Sequence, residues 1–201
     1  MYLVTRLLTL PIWHSPCNLA SGEESTHLDF VGCTNAPAVM ELRSYGMSAM
    51  PMSATQMLKQ DHDHVKSLFH EYEAGGWRDP QEKQRIVQQV CRELQIHSQL
   101  EKEIFYPAIQ SGGNEWAREL VTHGLEEHRM IDDLVHQLKQ MEPQNLDIDG
   151  RMRMLMQYVN DHVQEEEHAL FPQVEQSLAS RLPQLAQELQ QRKQQLMASV
   201  R

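Results

Sequence analysis

One pattern occurs twice in this sequence: HSQLEKEIFYP at residues 97–107 and HVQEEEHALFP at residues 162–172. In each copy a glutamate follows the first histidine by four residues and a proline follows it by ten. A further histidine precedes each copy, His62 by 35 residues and His128 by 34. Residues four apart lie on one face of an α-helix, about 6 Å apart along its axis. The repeat therefore predicts two helix–turn–helix units related by a pseudo-two-fold axis.

Apolar residues recur every three or four positions in four segments of the chain, a spacing typical of helices that face a core. The first, third and fourth segments predict helices over residues 53–73, 114–141 and 150–172. The second predicts a helix that begins at Pro80 and is closed by Pro107 and the Ser-Gly-Gly run of 111–113. Asp79 is predicted to cap the second helix. The predicted inward stripes are Leu58, His62, Val65, Phe69 and Tyr72; Ile86, Val90, Leu94, His97, Glu101 and Ile104; Val121, Leu125, His128, Ile131, Val135 and Leu138; and Leu155, Val159, His162, Glu166 and Leu170. Since the connections are short, the fold class predicted is all-α, an antiparallel up-down-up-down four-helix bundle.

The segments on either side of the bundle differ from it in composition. Residues 1–52 lack a helical period and mix Pro, Gly, Ser and Thr, which predicts a disordered N-terminal extension, with Met47, Met50 or Met52 as an alternative start. The metal-binding domain is predicted over 53–175. Residues 176–201 form a polar, Gln-rich C-terminal extra helix after Pro183, expected to pack back on the bundle or, alternatively, on a partner.

Bulk properties exclude some classes of function. A formal net charge of −10 argues against a nucleic-acid binder, which needs a basic face. There is no run of 18 apolar residues and hence no predicted membrane span. The segment of residues 1–13 is broken by Pro11 and does not favour a signal peptide. Three cysteines without a CxxC pair suit a reducing compartment, so we expect a cytoplasmic protein in which Cys91 is a small core or boundary residue.

Six ionisable residues fall on the apolar stripes of the four helices, in a repeated order. A single buried histidine is usually satisfied by protein groups, but six buried groups without partners would each cost about 1–3 kcal/mol, against a total stability of about 5–15 kcal/mol. Metal coordination removes this conflict. The predicted ligands are His62, His97, Glu101, His128, His162 and Glu166, holding two metals with two histidines each and the glutamates as bridges. Imidazole and carboxylate donors together suit iron, manganese or zinc.

The remaining histidines and acidic neighbours have less specific predictions. His64, His70, His123, His136 and His168 lie off the stripes and are expected to face solvent. Glu103 and Glu165 are candidates either for orienting a ligand histidine or for a solvated face.

These motifs closely resemble the hemerythrin-like HHE cation-binding domain family over about residues 55–175. The resemblance rests on Asp61-His62, Glu127-His128 and the two repeated stretches. It implies a four-helix bundle with a non-haem di-iron centre and roles with dioxygen, nitric oxide, oxidative stress or iron. Oxygen-carrying hemerythrins place another histidine four residues before the equivalent of His128, where this sequence has Gly124. The four-histidine set looks more like the branch linked to iron-centre repair and stress responses, which does not favour reversible dioxygen carriage.

Three classes of function follow from this interpretation. The first is a di-iron protein that binds or senses a small gaseous or peroxide ligand. The second is an enzyme that reduces nitric oxide, removes peroxide or donates iron to damaged clusters, and it would need an external reductant. The third is a non-redox iron store or zinc-stabilised module. Signalling would require a partner protein, because no output domain is visible.

Overall fold

The computed structural model describes residues 52–76 and 79–199, and these residues form helices and no strand. The α-helices are α1 (Ala54–Ala74), α2 (Pro80–Leu100), α3 (Tyr106–Gly112), α4 (Glu115–Lys139), α5 (Ile148–Glu165), α6 (Phe171–Ser177) and α7 (Leu182–Ser199). Two π-helical turns, Glu101–Phe105 and Glu166–Leu170, join α2 to α3 and α5 to α6. The extension predicted over residues 1–52 lies outside the described residues except for Met52, so it stays a prediction.

Local signals set the helix starts. Ser53 and Gln56 form a reciprocal capping box at the start of α1. Asp79 accepts a hydrogen bond from the Gln81 backbone N–H at 2.8 Å, with Pro80 in the first turn of α2, as predicted. Asn114 caps α4 through the Ala117 N–H.

The four bundle helices are α1, α2 with α3, α4, and α5 with α6. The packed pairs include α1 on α2, α2 on α4 and α4 on α5. The predicted all-α fold, an antiparallel four-helix bundle with an extra helix, is confirmed. The extra helix α7 packs back on α1, α2 and the first π-helical turn. It buries Leu182, Leu185, Leu189 and Leu196 there.

Two apolar clusters fill the bundle, one toward each end. Along α1, Leu58 belongs to the first cluster and Val65 to the second, with His62 between them. Along α2, Leu94 belongs to the second and Leu100 to the first, with His97 between them. The ionisable layer is therefore sandwiched between two apolar layers.

The second bundle helix ends in the predicted Ser-Gly-Gly run of 111–113 but does not stop at Pro107, and the fourth extends beyond its predicted end at residue 172. Both helices pass through Pro107 and Pro172 and continue to Gly112 and Ser177. The preceding π-helical turn takes one extra residue, and the proline enters the next α-helix in its first turn, where its missing N–H is tolerated. The extra residue also shifts the helical phase. As a result, Phe105 and Tyr106 lie in the core, whereas Ile104, which was predicted to face inward, is only partly buried.

Two further features bear on the predictions. Cys91 is fully buried among apolar residues, as predicted, and burial raises the pKa of its thiol to about 12.

Within the described residues no helix has both the length and the hydropathy needed to cross a bilayer.

Candidate metal centre

The structure brings all six predicted ligands together in the buried layer. Each has a side chain no more than 5% exposed. They are His62 on α1, His97 on α2, Glu101 at the start of the first π-helical turn, His128 on α4, His162 on α5 and Glu166 at the start of the second π-helical turn.

The two carboxylates lie between the two histidine pairs. Glu101 Oε2 is 3.2 Å from His97 Nε2 and 2.8 Å from His128 Nε2. Glu166 Oε2 is 3.3 Å from His62 Nε2 and 3.5 Å from His162 Nε2. Each glutamate therefore contacts one imidazole from each half of the repeat.

Several donor and acceptor atoms of this layer are buried and form no regular hydrogen bond, although some of them lie within ion-pair distance of each other. They are His97 Nδ1, both carboxylate oxygens of Glu101, His128 Nδ1, His162 Nε2 and Glu166 Oε2. An unsatisfied buried polar atom costs about 1–3 kcal/mol, and more when it carries charge. Nitrogen and carboxylate oxygen are suitable donors for iron, manganese or zinc, so the residues present fit a bound cation.

Carboxylates outside the layer accept hydrogen bonds from two of the four imidazoles, and a third carboxylate lies near another imidazole. Glu167 Oε1 accepts from His62 Nδ1 at 2.9 Å, and Glu127 Oε2 accepts from His162 Nδ1 at 2.8 Å. These bonds place the proton on Nδ1 and leave the Nε2 lone pair facing the centre. Asp61 Oδ2 faces His97 Nδ1 more loosely, at 4.0 Å.

No orienting role was predicted from the sequence for these three carboxylates. Glu103 and Glu165, for which such a role was considered, lie further out. Glu103 binds Arg192 through two hydrogen bonds of 2.6 and 3.1 Å, and Glu165 pairs with His123. The sequence did contain a signal for two of them: Asp61 directly precedes His62, and Glu127 directly precedes His128.

Tyr106 is a further member of the site that the sequence analysis missed. Its hydroxyl donates to Glu166 Oε1 at 2.8 Å and lies 3.1 Å from His128 Nε2. Gly124 makes room for it, since a Cβ there would stand 3.0 Å from the Tyr106 oxygen. Gly124 is the position at which oxygen-carrying hemerythrins have another histidine, so a phenol lies in the space that such a side chain would enter.

The other half of the repeat has no such hydroxyl. Phe171 is the residue equivalent to Tyr106, and its ring stacks on His62 with centroids 5.8 Å apart and planes 7° apart. Leu58 is the residue equivalent to Gly124 and is fully buried in the same apolar cluster as Phe171. The pair of half-centres is therefore chemically unequal.

Burial and the shared carboxylates shift the protonation of the layer. Burial alone lowers the pKa of His97, but the Glu101 carboxylate raises it to about 10. Burial alone raises the pKa of Glu101, but His97 and His128 hold it well below its usual range. Burial raises the pKa of Tyr106 well above its usual value, so Tyr106 stays a neutral hydrogen-bond donor. Protons on imidazole thus balance the carboxylates when no cation does so.

A small cavity adjoins the centre on the side of the second apolar cluster. Its volume is about 10 Å³, room for one water-sized molecule. Besides the four histidines and Asp61, its walls are Val65, Leu94, Ile131, Val159 and Val163. A site with these walls excludes bulk water and admits only a very small ligand.

The five histidines predicted to face solvent are all exposed, which confirms that expectation for His64, His70, His123, His136 and His168. None of them reaches the buried layer. The fold thus brings the six predicted ligands together and leaves these five histidines at the surface.

Comparison with known proteins gives three matches. The family model described as hemerythrin HHE cation-binding domain matches residues 53–174 and, in an overlapping second match, 119–201. A curated protein named DNA nickase, from a Nostoc species, is 30% identical over 144 residues, which are 71% of this chain and 39% of that protein. This chain thus spans less than half of that relative's length. The crystal structure of a hemerythrin HHE cation-binding domain-containing protein from Mycobacterium kansasii matches with a TM-score of 0.62 and 21% identity, over 73% of this chain and 88% of that one. That likeness shows the fold.

Proposed function

The chain belongs to the hemerythrin HHE cation-binding domain family, and from that premise we propose that it holds two iron ions and uses them to bind or sense a small oxidant. The ligands proposed are His62, His97, Glu101, His128, His162 and Glu166. The ligand classes are dioxygen, nitric oxide and peroxide.

The observation that carries the proposal is the set of buried, unpartnered nitrogen and oxygen atoms around two shared carboxylates. His62 and His97, with their Nε2 atoms 3.2 Å apart, would hold one ion, and His128 and His162 the other. Glu101 contacts an imidazole of each pair, as a bridging ligand must. When bound, iron supplies a change of valence and coordination positions that a small molecule can occupy.

The chain's own residues prepare the centre. Glu167 and Glu127 fix the Nδ1 protons of His62 and His162, which keeps the facing nitrogens free to act as donors. Tyr106 holds a proton on its oxygen beside Glu166. The cavity next to the histidines has a volume of about 10 Å³, which favours a guest as small as a diatomic gas over a larger one.

The nicking activity named for the Nostoc relative is not part of the proposal. More than half of that protein lies outside the match, and a net charge of −10 opposes contact with a phosphate backbone. Catalytic reduction of nitric oxide or peroxide, iron donation and non-redox storage stand as the alternatives. A cytoplasmic location and an external reductant or signalling partner stay predictions.

The test starts from protein purified and reloaded with ferrous iron in the absence of oxygen. We expect about two irons per chain by elemental analysis, and an optical spectrum that changes on adding dioxygen, nitric oxide or peroxide. Glu101→Gln keeps the side-chain volume but removes the shared charge, so we expect it to lose iron. Glu126→Gln, at an exposed position on α4, is the matched control and should keep both ions.

Four results would count against the proposal. Equal iron content in Glu101→Gln and the control would show that the buried layer does not hold the metal. Two irons with a spectrum indifferent to all three oxidants would favour storage instead, whereas steady-state turnover with a reductant would favour the enzyme. One zinc in the native protein would favour a non-redox module.

A further inference from the structure

A second group of metal-ligating side chains lies on the surface beside the buried centre. His123 and Glu127, four residues apart on α4, meet Glu165 at the end of α5. His123 Nδ1 is 2.5 Å from Glu165 Oε2 and 3.7 Å from Glu127 Oε1. One donor atom from each of the three residues lies within 4.8 Å of the others. Two carboxylates thus converge on one imidazole nitrogen, whereas a simple ion pair needs only one.

Glu127 connects this surface group to the buried layer. Its Oε2 accepts from His162 Nδ1 at 2.8 Å, while its Oε1 faces His123. One carboxylate therefore serves a buried imidazole on one side and the surface group on the other.

The internal repeat shows what the first half has at the same place. Asp61 is the residue equivalent to Glu127, and the ammonium of Lys193 on α7 forms an ion pair with it. Met57 and Leu100 are the residues equivalent to His123 and Glu165, and both pack in the first apolar cluster. The first half thus satisfies its outer carboxylate with a fixed protein cation, whereas the second half surrounds its outer carboxylate with metal-ligating side chains.

Accessibility also differs between the two groups. The side chains of His123, Glu165 and Glu127 are 61%, 32% and 13% exposed, whereas those of the buried centre do not exceed 5%. A hydrated cation can reach the surface group directly but cannot reach the buried one without losing its water. One imidazole and two carboxylates leave coordination positions for water, which suits exchangeable binding of Fe²⁺, Mn²⁺ or Zn²⁺.

We propose that His123, Glu127 and Glu165 form a surface site for a divalent transition-metal ion, from which the buried centre is loaded. The loading role rests on the proposed function, whereas the surface site itself does not. The ion would take the place that Lys193 takes beside Asp61 in the other half.

The first experiment counts bound Mn²⁺ by the loss of the free-ion electron paramagnetic resonance signal, using the full chain already loaded with iron. We expect one additional Mn²⁺ per chain. His123→Ala and Glu165→Gln each remove one of three donors and should weaken this binding by about tenfold or more. His70→Ala is the matched control, since His70 is equally a surface histidine, 3.9 Å from the single carboxylate of Glu73.

The second experiment measures the initial rate of anaerobic Fe²⁺ uptake by the metal-free chain. His123→Ala should load about tenfold more slowly, in proportion to the lost capture affinity, yet reach the same final iron content. Circular dichroism checks that the variants are folded.

Each outcome bears on one claim. Absence of extra Mn²⁺ in the wild type, or its retention in His123→Ala, overturns the surface site. Extra Mn²⁺ with an unchanged uptake rate overturns the loading role. If the chain holds no buried iron but binds one Mn²⁺ that His123→Ala abolishes, the surface site is supported and the proposed function is rejected.

Discussion

Replacing Tyr106 by phenylalanine removes a single hydroxyl from the buried centre. In the metal-free chain that hydroxyl donates to Glu166 Oε1 at 2.8 Å and lies 3.1 Å from His128 Nε2. A hydrogen bond to a charged group contributes about 1.5–3 kcal/mol, and its loss leaves a buried carboxylate oxygen without a partner. We therefore expect the free energy of unfolding of Tyr106→Phe to fall by about 1.5–3 kcal/mol. At about 2–4 °C per kcal/mol for a chain of this size, the melting temperature should fall by roughly 3–12 °C.

The assay is urea and thermal unfolding followed by circular dichroism, with a chelator present so that no metal contributes. Tyr158→Phe on α5 is the matched control, because Tyr158 is partly buried against the second apolar cluster and lies outside the hydrogen bonds of the centre. It should change stability by no more than about 0.5 kcal/mol. If Tyr106→Phe loses no more stability than the control, the inference that this hydroxyl satisfies Glu166 is refuted.

Three further substitutions test the surroundings of the centre. Glu127→Gln should weaken metal binding by about 10–100-fold in a competition titration with a chelator. The reason is that a neutral amide replaces the carboxylate that accepts the hydrogen bond from His162 Nδ1. Gly124→Ala should destabilise the wild-type protein, since the added methyl group would stand 3.0 Å from the Tyr106 oxygen. In the Tyr106→Phe background, where that oxygen is absent, the same substitution should stabilise the fold by up to about 1 kcal/mol, because alanine has a higher helix propensity than glycine. Phe171→Tyr should cost about 1–3 kcal/mol in urea unfolding, since a new hydroxyl would enter an apolar cluster.

Controls for these substitutions come from the same helices. Glu126→Gln, next in sequence to Glu127 but exposed, should leave metal affinity unchanged. A Gly124→Ala variant that destabilises both backgrounds equally would mean that the tyrosine hydroxyl is not what opposes the methyl group. A stabilised Phe171→Tyr variant would mean that the second half can also accept a hydroxyl.

The fold and the six central residues were predictable because two independent patterns agree. Apolar spacing located four helices, and the ionisable residues on those stripes repeated in one order. Burial of His62 or Glu101 among apolar neighbours is unfavourable unless a partner binds them. Their positions on the apolar stripes therefore indicated a binding site.

The parts that were missed depend on geometry that spacing alone does not encode. Tyr106 lies outside the α-helical phase of Glu101, and the extra residue of the π-helical turn is what rotates it inward. Glu127 is adjacent to His128 in sequence but supports His162 on the neighbouring helix, which only the packing of α4 on α5 reveals. Pro107, ten residues after His97, was a visible signal of the irregular turn, but it indicated a helix end instead.

The repeat duplicates the candidate metal ligands but not their surroundings, so the two sides of the candidate centre differ. In the first half, α7 covers the outside and Lys193 neutralises Asp61. In the second half, Glu127 is shared with the surface residue His123, and Tyr106 adds a hydroxyl within the centre. Two ions held by equal sets of histidines would therefore meet unequal charge and unequal access to solvent. We expect ions to exchange through the second half, because there Glu127 links the buried imidazole of His162 to the exposed imidazole of His123.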